Sequence, residues 1–354
     1  MMIRLAPRLI WMLAGGLALT VSAVAPASAA ALNPPFDLPA PQGGGKSKAC
    51  EAPPPPVTEF SADSIYEEGD ATRSTIDPKA KERYDKAIAP LRDFSLQVSK
   101  LANRYLGSKG ADTGAADCAI AWLAAWARGG ALGAVLTRQA ALSSTRILSA
   151  IGFAYIEVKG AKGASAKDEA AIEKWLADLG RKTIGVYGSE GNSNLGNHRY
   201  WGGLAVGAIA IATGDRQMLD WAMESYRIGV CQVDANGALP IELLRGKRAR
   251  DYHIHAVAPL VMLAEIGERN GMDSYAECDG ALGRLIKFVL TAIEDPKEIE
   301  RLAGAQQIPL TEMGSRMAWV AIYRSRFPLP VAVELPDSFN ATTLGGNLQT
   351  LYGG

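Results

Sequence analysis

The chain has only three histidines, and all of them fall in two compact polar motifs. The first reads Gly191-Asn192-Ser193-Asn194-Leu195-Gly196-Asn197-His198-Arg199-Tyr200-Trp201. A Gly/Asn-rich loop here runs into an apolar stretch, which places Asn197 and His198 at the start of a helix. Unpaired backbone N–H groups and the positive end of the helix dipole favour an anion there, and an amide beside an imidazole suits a carboxylate. The competing reading makes Asn197 a helix cap and His198 a satisfied core imidazole. The second motif reads Arg245-Gly246-Lys247-Arg248-Ala249-Arg250-Asp251-Tyr252-His253-Ile254-His255. On a helix, Arg248, Tyr252 and His255 lie at i, i+4 and i+7 on one face, with His253 directed elsewhere. That face offers a fixed cation, a phenol and an imidazole to one ligand. Its competing reading is a solvated basic face around a core tyrosine.

This set of side chains suits proton abstraction next to a carboxylate. Removing the C5 proton of a uronic acid requires the neighbouring carboxylate to behave as neutral, because the carbanion adds negative charge beside it. Asn, Arg and His stabilise such an enolate-like intermediate, and Tyr or His moves the protons to and from carbon and the departing O4. No metal or organic cofactor is required. Zinc held by three histidines is disfavoured, since His253 and His255 diverge by about 200° on a helix. Glycoside hydrolysis would need two carboxylates. Glu190 and Glu242 flank the motifs, but the emphasis on Asn, His, Arg and Tyr is wrong for that reaction. Gly45-Lys46-Ser47 is not a phosphate loop: Ala40 stands where the motif needs glycine, and no strand precedes it.

The elements that must position these residues are helices. Apolar residues recur at three- and four-residue spacings over 78–106, 115–128, 131–158, 166–181, 198–213, 215–229, 248–268, 276–294 and 310–325. Asp77-Pro78, Asp117 and Asp215 read as helix starts, and Gly129-Gly130 and Gly160 with Gly163 as stops. Short loops between helices of similar length predict antiparallel hairpins. The expected fold is all-α, an incomplete α/α toroid over 58–327 with a groove where helix ends converge. Residues 30–57, with Pro53-Pro54-Pro55-Pro56, read as an extended arm, and 328–354 as a non-helical tail packed on the body.

Arg4 and Arg8, the apolar run Leu9–Val24 and the exit Ala27-Ser28-Ala29 form a secretory signal pattern, cleaved after Ala29. The run is short for a bilayer span, so the mature protein is expected in the periplasm without a membrane anchor. Four cysteines in an oxidising compartment permit two disulfides. The expected pairs are Cys50–Cys118 and Cys231–Cys278, with buried free thiols as the alternative for the second. Lys+Arg and Asp+Glu are both 37, which argues against nucleic acid as a partner. An anionic substrate would require a local concentration of cations.

Several ordered motifs resemble the bacterial periplasmic alginate lyases of the helical-toroid type, which carry an Asn-Asn-His-x-Tyr-Trp signature. Here it reads Gly196-Asn197-His198-Arg199-Tyr200-Trp201. Tyr66-Glu67-Glu68-Gly69-Asp70-Ala71-Thr72-Arg73-Ser74-Thr75 is similar to the family's early segment, and Cys118-Ala119-Ile120-Ala121-Trp122-Leu123-Ala124-Ala125-Trp126 to its Cys-x-x-x-Trp-Leu-x-x-Trp helix. Gln232-Val233-Asp234-Ala235-Asn236-Gly237, Asp279-Gly280-Ala281-Leu282-Gly283-Arg284-Leu285 and Leu344-Gly345-Gly346 continue it. The resemblance implies that Asn197 and His198 neutralise the carboxylate, with His198 also a possible base, and that Arg248 assists. It implies substrate contacts from Trp201, Tyr200, Tyr66, Arg73 and Arg245. Two departures stand out: Ile65 where the family has lysine, and His255 seven residues past Arg248, where it has a catalytic tyrosine. Either His255 or Tyr252, one turn earlier, is expected to take that role. The implied activity is β-elimination on a polyuronate, most directly polymannuronate. A glucuronan lyase and a non-catalytic polyuronate-binding protein of an exopolysaccharide export complex are the alternatives.

Overall fold

The structure, a computed structural model, describes residues 31–40, 50–188, 195–311 and 313–353. The signal pattern, the Gly45-Lys46-Ser47 run, Glu190 and the loop 191–194 lie outside the described residues. From Leu32 onward the chain forms one unit.

Among the described residues, eight long helices build it as four hairpins. They are α1 (Pro78–Gly107) with α2 (Thr113–Arg128), α3 (Arg138–Val158) with α4 (Ala166–Val186), α5 (Asn197–Thr213) with α6 (Arg216–Val230), and, after the short α7 (Pro240–Leu243), α8 (Ala249–Arg269) with α9 (Glu277–Glu294). Short helices follow: α10 (Lys297–Ala303), α11 (Met313–Arg316), α12 (Trp319–Arg324) and α13 (Leu348–Tyr352). Two-residue strands pair in parallel as β1 (Glu59–Phe60) with β2 (Ala134–Val135), and antiparallel as β3 (Asn340–Ala341) with β4 (Gly346–Asn347).

In each hairpin the first helix is inner and the second outer. The inner helices α1, α3, α5 and α8 pack in succession, and α2, α4, α6 and α9 line up behind them. Burial follows that placement. Helices α3, α5 and α8 are buried nearly all round, as helices enclosed by neighbours must be. Outer α6 buries one stripe, including Met218, Leu219, Ala222, Met223, Tyr226 and Val230. Inner α1 keeps an exposed face and buries Ile88, Leu91, Phe94, Val98, Ala102 and Tyr105, because it begins the ring. The toroid is therefore incomplete, and the C-terminal segment around β3 and β4 packs on α1, α3 and α8.

The helix starts show which local signals prevail. Asp77 accepts hydrogen bonds from the backbone N–H groups of Lys79 and Ala80, and Asp215 from that of Met218, as N-caps do. Asp117 is not a start: it lies within α2, whose cap is Asp112. The stretch 131–158 is helical only from Arg138. Gly130 and Leu132 have φ of 67° and 56°, which breaks the helix, and Thr137 then caps α3 through Ala140 N. The stretch 310–325 divides into α11 and α12, and 297–303 adds a helix that the periodicity did not indicate. The tail also ends in a helix, α13, capped by Asn347.

The arm is fastened by specific contacts. Trp122 and Trp126 donate Nε1–H to the carbonyls of Glu51 and Pro54, and Cys50 is bonded to Cys118 with Cα atoms 5.4 Å apart. Cys231 and Cys278 form the second disulfide. Phe36 is buried against Phe153 and Tyr352.

Close packing of α5 needs glycine at Gly203. A Cβ there would sit 2.6 Å from Ser225 Cβ and 3.3 Å from Leu263 Cδ1. Alanine would gain about 1 kcal/mol of helix propensity, against about 1–3 kcal/mol for overpacking, and the near atom is attached to the α6 backbone. Gly203→Ala is expected to lower the denaturant midpoint by a net ~1–2 kcal/mol; an unchanged or higher midpoint would show that α6 shifts freely. Replacing both Cys50 and Cys118 by serine, which opens a 68-residue separation, should cost about 2–5 kcal/mol in the same measurement.

Candidate active site

All four inner helices direct their N-terminal parts toward one cavity of about 270 Å³. Helix α1 contributes Tyr84, α3 contributes Gln139 to Arg146, α5 contributes Asn197, His198 and Trp201, and α8 contributes Asp251, Tyr252 and His255, with Arg245 and Arg248 just before it. The loop before α1 supplies Ile65, Tyr66 and Arg73, and α11 supplies Arg316. Neither α5 nor α8 has a side-chain cap; their N-cap residues are Gly196 and Arg248. The dipoles of these helices add positive potential where the motifs meet.

Asn197 is not a helix cap. It is buried, and its backbone N–H donates to Glu242 Oε1 at 2.8 Å. Its Nδ2 lies 3.1 Å from both oxygens of the same carboxylate. Glu242 is fully buried on α7. Burial pushes its carboxyl up, and the Asn197 hydrogen bonds and Arg245 act against that. The Arg245 guanidinium lies 3.8 Å from Glu242 and 4.4 Å above the Tyr252 ring. Glu242 therefore holds Asn197 and Arg245 in place without itself lining the cavity, so it has no place in a pair of hydrolytic carboxylates.

Each histidine has a different environment. Burial, then the fields of Arg245, Arg146, Arg73 and Arg138, pull the half-buried His198 down to about 3, so its imidazole is neutral. The hydroxyl of Tyr187 donates to the His198 carbonyl at 2.5 Å. His255 is also held neutral, by burial and by Arg146, His198 and Arg316. Its ring stacks on Trp201 at 5.0 Å, and Trp201 Nε1–H donates to its carbonyl. His253 is a core residue: Nδ1 bonds the Ala249 carbonyl and Nε2 accepts from Leu239 N. The three imidazoles do not converge on a metal geometry.

Tyr252 hydroxyl is 2.5 Å from Tyr66 hydroxyl. Burial first, then Tyr66, raise Tyr252 well above the usual tyrosine range, so it is protonated. The loop carrying Tyr66 is tied by Asp70, which accepts from Thr72, Ser74 and Thr75. It is joined to the second motif by Arg248 Nε–H on the Ser74 carbonyl and by Lys247 on Thr75. Arg248 also pairs with Asp251, whose other oxygen accepts from Arg316 at 2.7 Å.

Five arginines line the cavity against one carboxylate, Asp251, among the described residues. A chain with equal numbers of acids and bases thus separates its charges by folding. Tyr200 does not reach the cavity. It is 1 % exposed, and its hydroxyl donates to the Leu195 carbonyl, because it lies on the face of α5 opposite the groove. Arg146, Gln139, Tyr84 and Arg316 were not singled out in the sequence. They lie within amphipathic stretches, where a polar residue facing the groove cannot be told from one facing solvent.

A family model described as alginate lyase matches residues 61–299. The chain is 32% identical to an alginate lyase of Pseudomonas aeruginosa over 354 residues, covering 96% of each. It is 34% identical to one of Azotobacter vinelandii, covering 92% of this chain and 90% of that one. To a polysaccharide lyase of Stenotrophomonas maltophilia it is 34% identical, covering 85% and 89%. Among solved structures it is similar to alginate lyase A1-III from Sphingomonas species A1, with a TM-score of 0.73, 22% identity and 88% of each chain covered. A histidine-to-alanine variant of A1-III complexed with a tetrasaccharide gives 0.75 at 22% identity, again covering 88% of each. The toroid, the ordered motifs and these matches agree, and the chain belongs to the alginate lyase family.

Proposed function

We propose that this protein is a polysaccharide lyase that cleaves a β-1,4-linked polyuronate by β-elimination, with mannuronate-rich alginate as its substrate. The observation that carries the reading is the convergence of Asn197, neutral His198, Arg245 and protonated Tyr252 in a cavity whose charged lining is five arginines against one carboxylate. The family's namesakes act on alginate, and their relation to this chain supports the same substrate class.

The substrate carboxylate sits against Asn197, His198 and Arg245. These groups offset the charge that develops when C5 loses its proton. The C5–H electrons form the C4–C5 double bond, the C4–O4 bond breaks, and O4 leaves with a proton. Tyr252, protonated in the free protein, is the group able to donate to O4. The neutral His198 imidazole is the group able to accept from C5, and a bound anion beside it raises its basicity. The arginine seven residues before Tyr252 is Arg245. The family's Arg–Tyr spacing is therefore met one turn earlier than a count from Arg248 to His255 implies. Arg248, committed to Ser74 and Asp251, anchors the Tyr66 loop. A periplasmic location is supported by the N-terminal signal pattern and the two disulfides.

Mannuronan supplied to the purified protein is expected to yield unsaturated uronate ends, seen as new ultraviolet absorbance. Product from glucuronan alone would reassign the substrate, and saturable binding without product on any polymer would refute the lyase. Tyr252→Phe should lower kcat by about 10²–10⁴ and His255→Gln by less than tenfold; the reverse order would place the tyrosine's role at 255. The lowered pKa values of all three histidines predict that no imidazole signal in the NMR spectrum of the free protein titrates between pH 8 and 5.5. A His198 midpoint near its ordinary value of about 6.5 would remove the neutral base.

A further inference from the structure

One buried titratable side chain has no part in the proton transfers of the elimination. His253 is 1 % exposed and does not line the cavity, although Tyr252, its neighbour in sequence, does. Both of its ring nitrogens are engaged. Nε2 lies 2.9 Å from the backbone nitrogen of Leu239, which can only donate, so Nε2 accepts and the proton of the neutral ring is on Nδ1. Nδ1–H in turn donates to the Ala249 carbonyl, one turn earlier on α8, at 2.8 Å. Burial keeps the ring neutral, pulling its pKa down to about 4. Phe288 of α9 packs against it with ring centroids 5.3 Å apart. A leucine could meet that packing, but it would supply no acceptor for Leu239.

Leu239 is the residue at which an acceptor matters. It is the N-cap of α7 and is 1 % exposed. Its carbonyl accepts from the N–H groups of Glu242 and Leu243 at 3.0 and 3.1 Å, closing the single turn of that helix. A helix of four residues has no stability of its own, and α7 has no side-chain cap. The imidazole therefore ties α7 to the first turn of α8 at the residue that holds Glu242. From Glu242 the contacts continue to the N–H and amide of Asn197 and to the Arg245 guanidinium. The far end of the connection is held separately: Gln307 Nε2–H donates to the Gly246 carbonyl, and Gln307 Oε1 accepts from Arg250 N.

We propose that His253 is a positioning residue for the elimination, setting the place of Asn197 and Arg245 through Leu239 and Glu242 without touching the substrate. The effect on rate rests on the lyase reading; the bracing of Glu242 does not.

The test compares two substitutions in the full mature chain. Asparagine places its amide nitrogen near the position of Nδ1 and has nothing at that of Nε2. Glutamine reaches the position of Nε2 with a carbonyl oxygen that can accept from Leu239. His253→Asn should lower kcat on mannuronan by about 10²-fold, with KM changed by less than about threefold, and His253→Gln should keep kcat within about threefold. In a Glu242→Gln background His253→Asn should cost no further kcat, because residues acting through one another are not additive. Equal losses in the two variants, losses that follow their thermal unfolding midpoints, or a multiplicative loss in the double variant would each overturn the proposal. Amide hydrogen exchange reads the brace without turnover. The Glu242 N–H should lose protection in His253→Asn and keep it in His253→Gln, with the middle of α8 protected in both. That pattern, with no product from the wild type, would keep the brace and refute the lyase. An unchanged Glu242 N–H in His253→Asn would overturn the proposal whether or not product forms. In the wild type, nitrogen NMR should show Nε2 of His253 unprotonated; a proton there overturns the proposal even where neither variant folds.

Discussion

The site depends on the direction of the inner helices. Each hairpin enters the ring through its first helix and leaves through its second, so α1, α3, α5 and α8 run the same way. Their N-terminal parts converge at one end of the toroid. An anion placed there lies toward the positive ends of these helix dipoles as well as among the arginines that line the cavity. Helix α8 has no side-chain cap, whereas the first N–H of α5 is taken by the Glu242 carboxylate. Outer helices, pointing the other way, bring their N-termini elsewhere. The placement of the first helix of each hairpin on the inside therefore sets the cationic groove at one end of the ring.

Within that frame one buried carboxylate organises the polar residues. Glu242 accepts from the backbone and side chain of Asn197 and lies close to Arg245. Removed from water, an unpaired carboxylate would be costly; here the contacts that satisfy it also orient the groups facing the substrate. Tyr187 performs a similar service for His198 through its carbonyl, and its ring fits only because residue 202 is glycine: a Cβ there would lie 2.6 Å from the ring. Asp251 links Arg248 and Arg316 across the groove. Two carboxylates and one phenol from three parts of the chain thus hold the cations, the amide and the imidazole that a bound polyuronate would need.

The protonation states follow from the same burial. Water exclusion keeps both His198 and His255 neutral and keeps Tyr252 protonated. Neighbouring arginines add to the effect on the imidazoles, since a like charge disfavours a second one. The site accordingly holds its fixed positive charge on arginine, which cannot lose it. Proton transfer is left to groups that start in the required state.

Much of this was legible in the chain itself. The 3.6-residue periodicity gave the long helices, because burying one face of a helix leaves a repeating trace in the sequence. Asp77 and Asp215 marked helix starts because capping is a local interaction. The two polar motifs stood out because all three histidines fall within them, and eight of their residues line the cavity. What the sequence could not decide was direction and partnership across the fold. Asn197 reads as a cap until Glu242, 45 residues away, is placed beside it. Tyr200 and Trp201 are adjacent in one motif, yet successive residues on a helix point about 100° apart, so one enters the core and the other the groove. Arg146 and Arg316 sit in unremarkable helical stretches, and only the closing of the ring brings them together. Periodicity and capping are encoded within a few residues; the charge of a groove is a sum over elements far apart in sequence, fixed only by how those elements pack.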